Sequence, residues 1–131
     1  MNIAIVGATG NVGRKILEVL EKKELAIDNL YLLASSRSAG SKINFNGNAH
    51  EVIDLDTFDF SKVKISFFAA GGKISENFAE IAAKHSLVID NSSFYRMDPD
   101  VPLIVPQVNS NHLNEIKKNI GSFGKERASY R

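Results

Sequence analysis

Along most of the chain, short apolar runs alternate with longer segments whose apolar positions recur every third or fourth residue. Residues 3–6 are continuously apolar and end at Gly7, as a strand covered on both faces should. Over residues 11–23, Val12, Ile16, Leu17, Val19 and Leu20 fall on one stripe of a helix. Residues 30–34 predict a second strand, and residues 35–41 a polar loop. Within residues 43–53, Asn46-Gly47 lies between Phe45 and Val52 and predicts a tight hairpin. A plain doubly wound fold has a helix there. Residues 64–70 predict a further strand, broken by Gly71-Gly72. Ile74, Phe78, Ile81 and Ala82 then mark an amphipathic helix with Ser75 as its candidate cap. Residues 87–89 read as a strand closed by Asp90-Asn91-Ser92-Ser93. A loop with Pro99, Pro102 and Pro106 encloses the run 103–105, and residues 110–119 predict a last helix with Leu113 and Ile116 inward.

Strands alternating with helices imply an α/β fold: a Rossmann-like, doubly wound, mostly parallel sheet with right-handed crossovers and a hairpin insertion. A single domain is expected over residues 1–120. Residues 121–131 carry Lys125, Arg127 and Arg131 against Glu126 with scattered apolar residues, which predicts a disordered or foreign tail.

Composition narrows the function classes. The 131 residues suffice for one compact domain, and 44% are apolar, enough to bury a core. Sixteen basic and fifteen acidic side chains nearly cancel, so no nucleic-acid or membrane partner is expected. No apolar run approaches the roughly 18–20 residues that cross a bilayer. The first residues enter a strand at once, without the pattern of a signal peptide, and the expected location is the cytoplasm. Cysteine is absent, which excludes disulfides, thiolate metal sites and a cysteine nucleophile within these residues. His50, His85 and His112 are scattered among the predicted elements and read as surface or structural residues, so no metal site is expected.

The candidate chemistry begins at Gly7-Ala8-Thr9-Gly10-Asn11-Val12-Gly13, which follows a strand and opens a helix. Gly7 permits the sharp turn, Gly10 clears the approach of a diphosphate to the backbone, and Gly13 permits close packing of the helix. The free N–H groups and dipole of the helix N-terminus favour an anion, and Thr9 and Asn11 add side-chain donors. The spacing is Gly-x-x-Gly-x-x-Gly rather than the commoner Gly-x-Gly-x-x-Gly. An acid roughly 20 positions further on would mark NAD. The second strand instead ends in Ala34-Ser35-Ser36-Arg37-Ser38. The guanidinium fork of Arg37, flanked by Ser35 and Ser38, suits the 2′-phosphate of NADP; the competing reading is a solvated polar loop.

Four segments in register resemble the aspartate-semialdehyde dehydrogenases. They are the glycine turn, residues 33–40, Asp90-Asn91-Ser92-Ser93-Phe94-Tyr95-Arg96, and residues 100–109. The resemblance extends from Asn2 to about Asn119. It implies reduction of aspartyl phosphate to aspartate semialdehyde with NADPH, on the route to lysine, threonine and methionine. It also implies that Ser35, Arg37 and Ser38 hold the 2′-phosphate, that Ala70 and Gly71 line the cofactor, and that Asn91 and Arg96 face the substrate. Without the resemblance, Arg96 reads as an ion-pair partner of Asp98 or Asp100. The family's nucleophilic cysteine and its acid/base histidine have no counterpart in these residues. Thiohemiacetal chemistry needs a thiolate, so the expectation is a segment truncated before the cysteine and inactive by itself, with no catalytic residue of its own. The truncated sheet is expected to self-associate into a homo-oligomer. The alternative is a non-catalytic module that binds or senses a dinucleotide. A short-chain dehydrogenase relative is discarded, because Tyr31, Tyr95 and Tyr130 have no lysine four residues on.

Overall fold

The computed structural model describes residues 1–23, 25–95, 98, 103–104 and 120–123. The strands are β1 (Asn2–Val6), β2 (Asn29–Ala34), β3 (Lys42–Phe45), β4 (Asn48–Asp54), β5 (Ile65–Phe68), β6 (Leu87–Asp90), β7 (Leu103–Ile104) and β8 (Ile120–Phe123). Among the described residues two helices accompany them, α1 (Asn11–Lys23) and α2 (Gly72–Ala83), with short 3₁₀ turns at Leu55–Thr57 and Phe60–Lys62. The strands form a single sheet in the order β3-β4-β2-β1-β5-β6-β8-β7. Every neighbouring pair is parallel except β3 with β4. This is the Rossmann-like α/β fold, with the expected hairpin in place of a helix. Asn46 and Gly47 both take positive φ, 51° and 80°, which is what a two-residue turn between twisted strands requires.

β1 lies mid-sheet and is buried on both faces. Ile3 and Ile5 pack with Leu17 and Leu20 of α1 on one side. Ala4 and Val6 pack with Phe68, Val88 and the α2 residues Ala79 and Ala82 on the other. The helices use narrower faces than their apolar residues suggest. In α1 the buried positions are Gly13, Leu17 and Leu20, while Val12 and Val19 are 42% and 44% exposed. In α2 they are Ser75, Ala79, Ala82 and Ala83, while Ile81 points to solvent. Leu17, Leu20 and Ala82 are buried as expected and Ile16, Ile74 and Phe78 pack against the core, whereas Val12, Val19 and Ile81 correct the expectation from apolar identity. In α2 the small residues Ser75, Ala79 and Ala82 at i, i+4 and i+7 bring the helix backbone close to the sheet; in α1 Gly13 does so at the first of these positions, with Leu17 and Leu20 at the other two.

Two further expectations change. Ser75 does not cap α2: the N-cap is Gly71, with no side-chain cap, and the Ser75 hydroxyl is turned into the core. The tail expected from Gly121 starts too early, because Ile120–Phe123 forms β8 between β6 and β7. Ile120 and Ser122 are fully buried there. The anticipated helix over residues 110–119 lies outside the described residues, as do residues 124–131.

The close approach of helix to strand rests on Gly13. A Cβ on Gly13 would come within 2.2 Å of the Gly7 carbonyl oxygen and 2.9 Å of the Ala8 Cα. A Cβ on Gly10 meets nothing nearer than that same carbonyl at 3.6 Å. Gly13→Ala is expected to lower unfolding stability by about 2 kcal/mol or more, whereas Gly10→Ala should stay within about 0.5 kcal/mol. Urea unfolding of the two variants beside the parent checks this, and equal losses would refute it.

Candidate functional site

The C-terminal ends of β1, β2, β4 and β5 open onto a cleft of about 540 Å³. Such ends are where parallel sheets bind ligands, because the chain reverses direction there and helix N-termini face the gap. Gly7 turns out of β1 with φ 89°, and its N–H donates to the Leu33 carbonyl at 2.8 Å, tying the turn to β2. A Cβ on Gly7 would lie 2.7 Å from the Ala69 carbonyl oxygen, so a side chain is excluded on steric grounds as well as by φ. The Gly10 N–H donates back to the Gly7 carbonyl at 3.1 Å and closes the turn. Helix α1 starts at Asn11, so its first-turn N–H groups have no partners within the helix and face the cleft end of the fold. Arg14 adds positive charge: its Nε donates to the Thr9 carbonyl at 3.2 Å.

Of the residues singled out from sequence, Gly7, Thr9, Gly10, Ser35 and Ala70 line this cleft together. Gly13 is buried beneath it, and Val12 is exposed at the start of α1. Gly71, with φ 91°, begins α2 beside Ala70. Arg37 and Ser38 lie in the exposed turn following the cleft residues Ser35 and Ser36, where the Ser38 N–H donates to the Ser35 carbonyl at 2.9 Å. Asn11 is not among the cleft residues. It lines a separate groove of about 480 Å³ between α1 and β3, with Arg14 and Lys42. Asn91 is exposed at the end of β6, where its N–H extends the ladder to the Phe68 carbonyl at 2.9 Å. Arg96 lies outside the described residues.

Sequence reasoning passed over Ser36, Leu55, Asp56 and Ile74, all of which line the cleft. Leu55 and Asp56 come from the turn after β4, and the available signal was the register of that strand. Ala34 pairs with Asp54, so whatever follows Asp54 must border whatever follows Ala34.

A buried polar cluster fixes the neighbouring loop after β6. Asp90 is fully buried; its Oδ1 accepts from the Ser75 hydroxyl at 2.7 Å and the Ser92 N–H at 3.0 Å. Its Oδ2 accepts from the Ser92 hydroxyl at 2.8 Å, and that hydroxyl in turn accepts from the Phe94 N–H at 3.2 Å. One carboxyl group thus pins the first turns of α2 to the loop carrying Asn91. Tyr95 packs in the core beside this loop, edge-on to Phe94. Burial pushes its phenol up to about 12, with nearby Glu80, Asp90 and Asp98 adding to the shift.

The geometry fits a dinucleotide. Space over Gly10 is open, an uncapped helix start faces it, and the cleft continues along the ends of β2 and β4. Fold and cleft together define a dinucleotide-binding α/β domain.

Comparison with known proteins narrows the class. The family model described as "Semialdehyde dehydrogenase, NAD binding domain" matches residues 2–116, and the chain belongs to that family. It is 46% identical over 117 residues to an aspartate-semialdehyde dehydrogenase of Shewanella sp. (strain DB6705), a match covering 88% of this chain and 35% of the relative. Identity to aspartate-semialdehyde dehydrogenase 2 of Vibrio cholerae is 48%, with the same coverage. Among solved structures, aspartate semialdehyde dehydrogenase II from Vibrio cholerae, complexed with ASA, superposes with a TM-score of 0.89 at 47% identity. That superposition covers 93% of this chain and 40% of the other. The Candida albicans enzyme with NADP gives a TM-score of 0.72 at 25% identity, covering 95% of this chain and 42% of that one. The chain therefore spans about a third of the length of its curated relatives. Among the described residues, no helix is long and apolar enough to cross a membrane.

The polar cluster yields a stability test. Asp90→Ala leaves two buried hydroxyls and an N–H without their acceptor, and should cost about 3 kcal/mol in urea unfolding. Ser66→Ala breaks the other buried hydroxyl pair, Ser66 with Ser86 at 2.8 Å, but removes no carboxyl. It should cost about 1 kcal/mol. A smaller loss for Asp90→Ala than for Ser66→Ala would overturn the assignment of Asp90 as the principal acceptor.

Proposed function

We propose that this chain is the NADP-holding part of an aspartate-semialdehyde dehydrogenase, the enzyme that reduces aspartyl phosphate to aspartate semialdehyde with NADPH. The carrying observation is the cleft itself: an open glycine turn and helix start at one end, and hydroxyl-bearing Ser35 and Ser36 along its side. On this reading the bared amides from Gly7 to Gly13 seat the diphosphate, with the Thr9 side chain and the Val12 backbone alongside; the Asn11 side chain, which lines the separate groove against β3, is left out of the site. Ala70 and Gly71 approach the nicotinamide half.

NADP rather than NAD is supported by the residue types after β2. Ser35, Ser36 and Ser38 are neutral donors, and Arg37 is a forked cation that suits a phosphate dianion. When bound, the cofactor supplies the hydride; the chain's own residues bind and orient it. Asn91 and Arg96 are assigned to the substrate, with Arg96 gripping its phosphate. Asn91 stands at the same end of the sheet as the cleft, as that role requires. The nucleophile is placed outside this segment, since displacing phosphate to form a thioester, which hydride then reduces to a thiohemiacetal, needs a thiolate and these residues contain no cysteine. The reading places the protein in the cytoplasm.

Titration with NADP and NAD side by side tests it. NADP should bind more tightly by about tenfold or more, and Arg37→Asp should erase the difference by replacing a cation with an anion. Equal affinities in the parent, or a preference that survives the substitution, would refute the NADP assignment. Self-association belongs to the same reading, since β3 and β7 end the sheet as edge strands. Sedimentation at micromolar concentration should show a dimer or larger, and a clean monomer would remove that part.

A further inference from the structure

Helix α2 begins between the cleft and the loop that follows β6. On one side, Ala70 and Ile74 line the cleft. On the other, the first helical residue lies against the loop: a Cβ on Gly72 would sit 3.7 Å from the Phe94 Cβ. Local bonds do little to fix this start. Gly71 is the N-cap and supplies no side-chain bond, and the Ser75 N–H makes the first i to i−4 bond, to the Gly71 carbonyl at 3.2 Å. The N–H groups of Gly72, Lys73 and Ile74 have no acceptor within the helix.

The lateral tie is the Asp90 network. Ser75 and Asp90 are fully buried, and Ser92 is buried beside them. The Ser75 hydroxyl donates to Asp90 Oδ1 at 2.7 Å. The Ser92 hydroxyl donates to Oδ2 at 2.8 Å and lies 3.2 Å from the Ser75 Oγ, which closes a triangle of side chains. Two loop amides donate into the same network, Ser92 N–H to Oδ1 and Phe94 N–H to the Ser92 hydroxyl. A buried carboxyl that loses one donor is left underbonded where no water replaces it, which costs more than an ordinary hydrogen bond. Ser75 and Ser92 are therefore held or released together. Displacing the α2 start loosens the loop, and fixing that start tightens it.

Resting on the NADP reading above, we propose that Ser75 and Asp90 are positioning residues that couple the coenzyme cleft to the loop carrying Asn91. A coenzyme seated against Ala70 and Ile74 opposes displacement of the α2 start, and the Ser75–Asp90–Ser92 network passes that restraint to the loop. Both residues act from the core, without contact to the coenzyme. By linkage, a ligand held by the loop raises coenzyme affinity by the same factor.

Amide hydrogen exchange of the full chain, with and without saturating NADP, tests the coupling. The amides of β3, at the far edge of the sheet, serve as the reference for any gain in overall stability. NADP should slow the Asn91, Ser92 and Phe94 amides about tenfold more than those of β3, within the range of coupling between two sites. Ser75→Ala should reduce this ratio to within about twofold, while the amides of residues 7–13 stay protected by NADP. A residue that only stabilises the fold would change loop and reference alike and leave the ratio where it was. Ser66→Ala, which breaks a buried hydroxyl pair outside the network, should keep the full effect. Should Ser75→Ala fail to fold, Ser92→Ala read at the Asn91 amide takes its place, with the same collapse of the ratio expected. A parent in which NADP protects residues 7–13 but slows the loop no more than β3 overturns the inference and leaves the NADP reading standing. So does a Ser75→Ala variant that keeps the full loop effect, or a Ser66→Ala variant that loses it. If NADP slows no amide at all, the NADP reading falls and this inference with it.

Discussion

The contact between Gly13 and the Gly7 carbonyl sets the geometry on which the rest of the molecule depends. With a Cβ-to-oxygen distance of 2.2 Å implied for any other residue at position 13, the start of α1 can sit where it does only because that side chain is absent. The contact places a helix N-terminus directly over the end of the central strand. Three consequences follow from the one approach. The helix dipole and its unpaired amides point at the cleft. Leu17 and Leu20 reach Ile3 and Ile5 across a short gap. The Gly7 N–H lies in bonding range of β2, so the turn and the neighbouring strand end are fixed relative to each other. Binding geometry and core packing on this face are therefore not separable properties.

The opposite face reaches the same closeness by other means. Helix α2 starts without a side-chain cap, at a glycine in a conformation that L side chains rarely adopt, and packs through serine and alanine. Its hold on the sheet is partly polar: Ser75 reaches across to Asp90 at the end of β6. Burying a carboxyl group is costly unless its oxygens are satisfied, and here two hydroxyls and an N–H satisfy them. That cluster joins α2 to the loop bearing Asn91. In β8, by contrast, the Ser122 hydroxyl is buried with no hydrogen-bond partner among the described residues, although its residue lies in register with Asp90.

What the sequence made legible was whatever local chemistry decides by itself. The continuous apolar run of β1, the Asn46-Gly47 hairpin and the strand–glycine turn–helix context each have a backbone reason that operates within a few residues, and each appears as read. What escaped was decided by partners distant in the chain. An apolar count puts Val12 and Val19 on the inner stripe of α1, because glycine carries no hydrophobic signal even when its smallness defines the packed face. Ser75 reads as a cap only while Asp90, 15 positions away, is out of view. Ile120-Gly121-Ser122-Phe123 has little strand character of its own; its pairing with β6 and β7 supplies the order that its side chains do not. Leu55 and Asp56 join the cleft because β4 borders β2 in parallel, a fact of topology rather than of motif.

Parallel topology also bears on how labour is divided in an enzyme of this family. The ends of β1, β2, β4, β5 and β6 all open on one edge, so every group this domain can offer to a cofactor or substrate arrives from a single side. Glycine amides, hydroxyls and a guanidinium are suited to holding charge in place, and none of them is a strong nucleophile. In the proposed reaction the thiolate is supplied by none of residues 1–131, which contain no cysteine. Holding the coenzyme, and not bond formation, is thus the part of the proposed reaction assigned to this edge of the sheet.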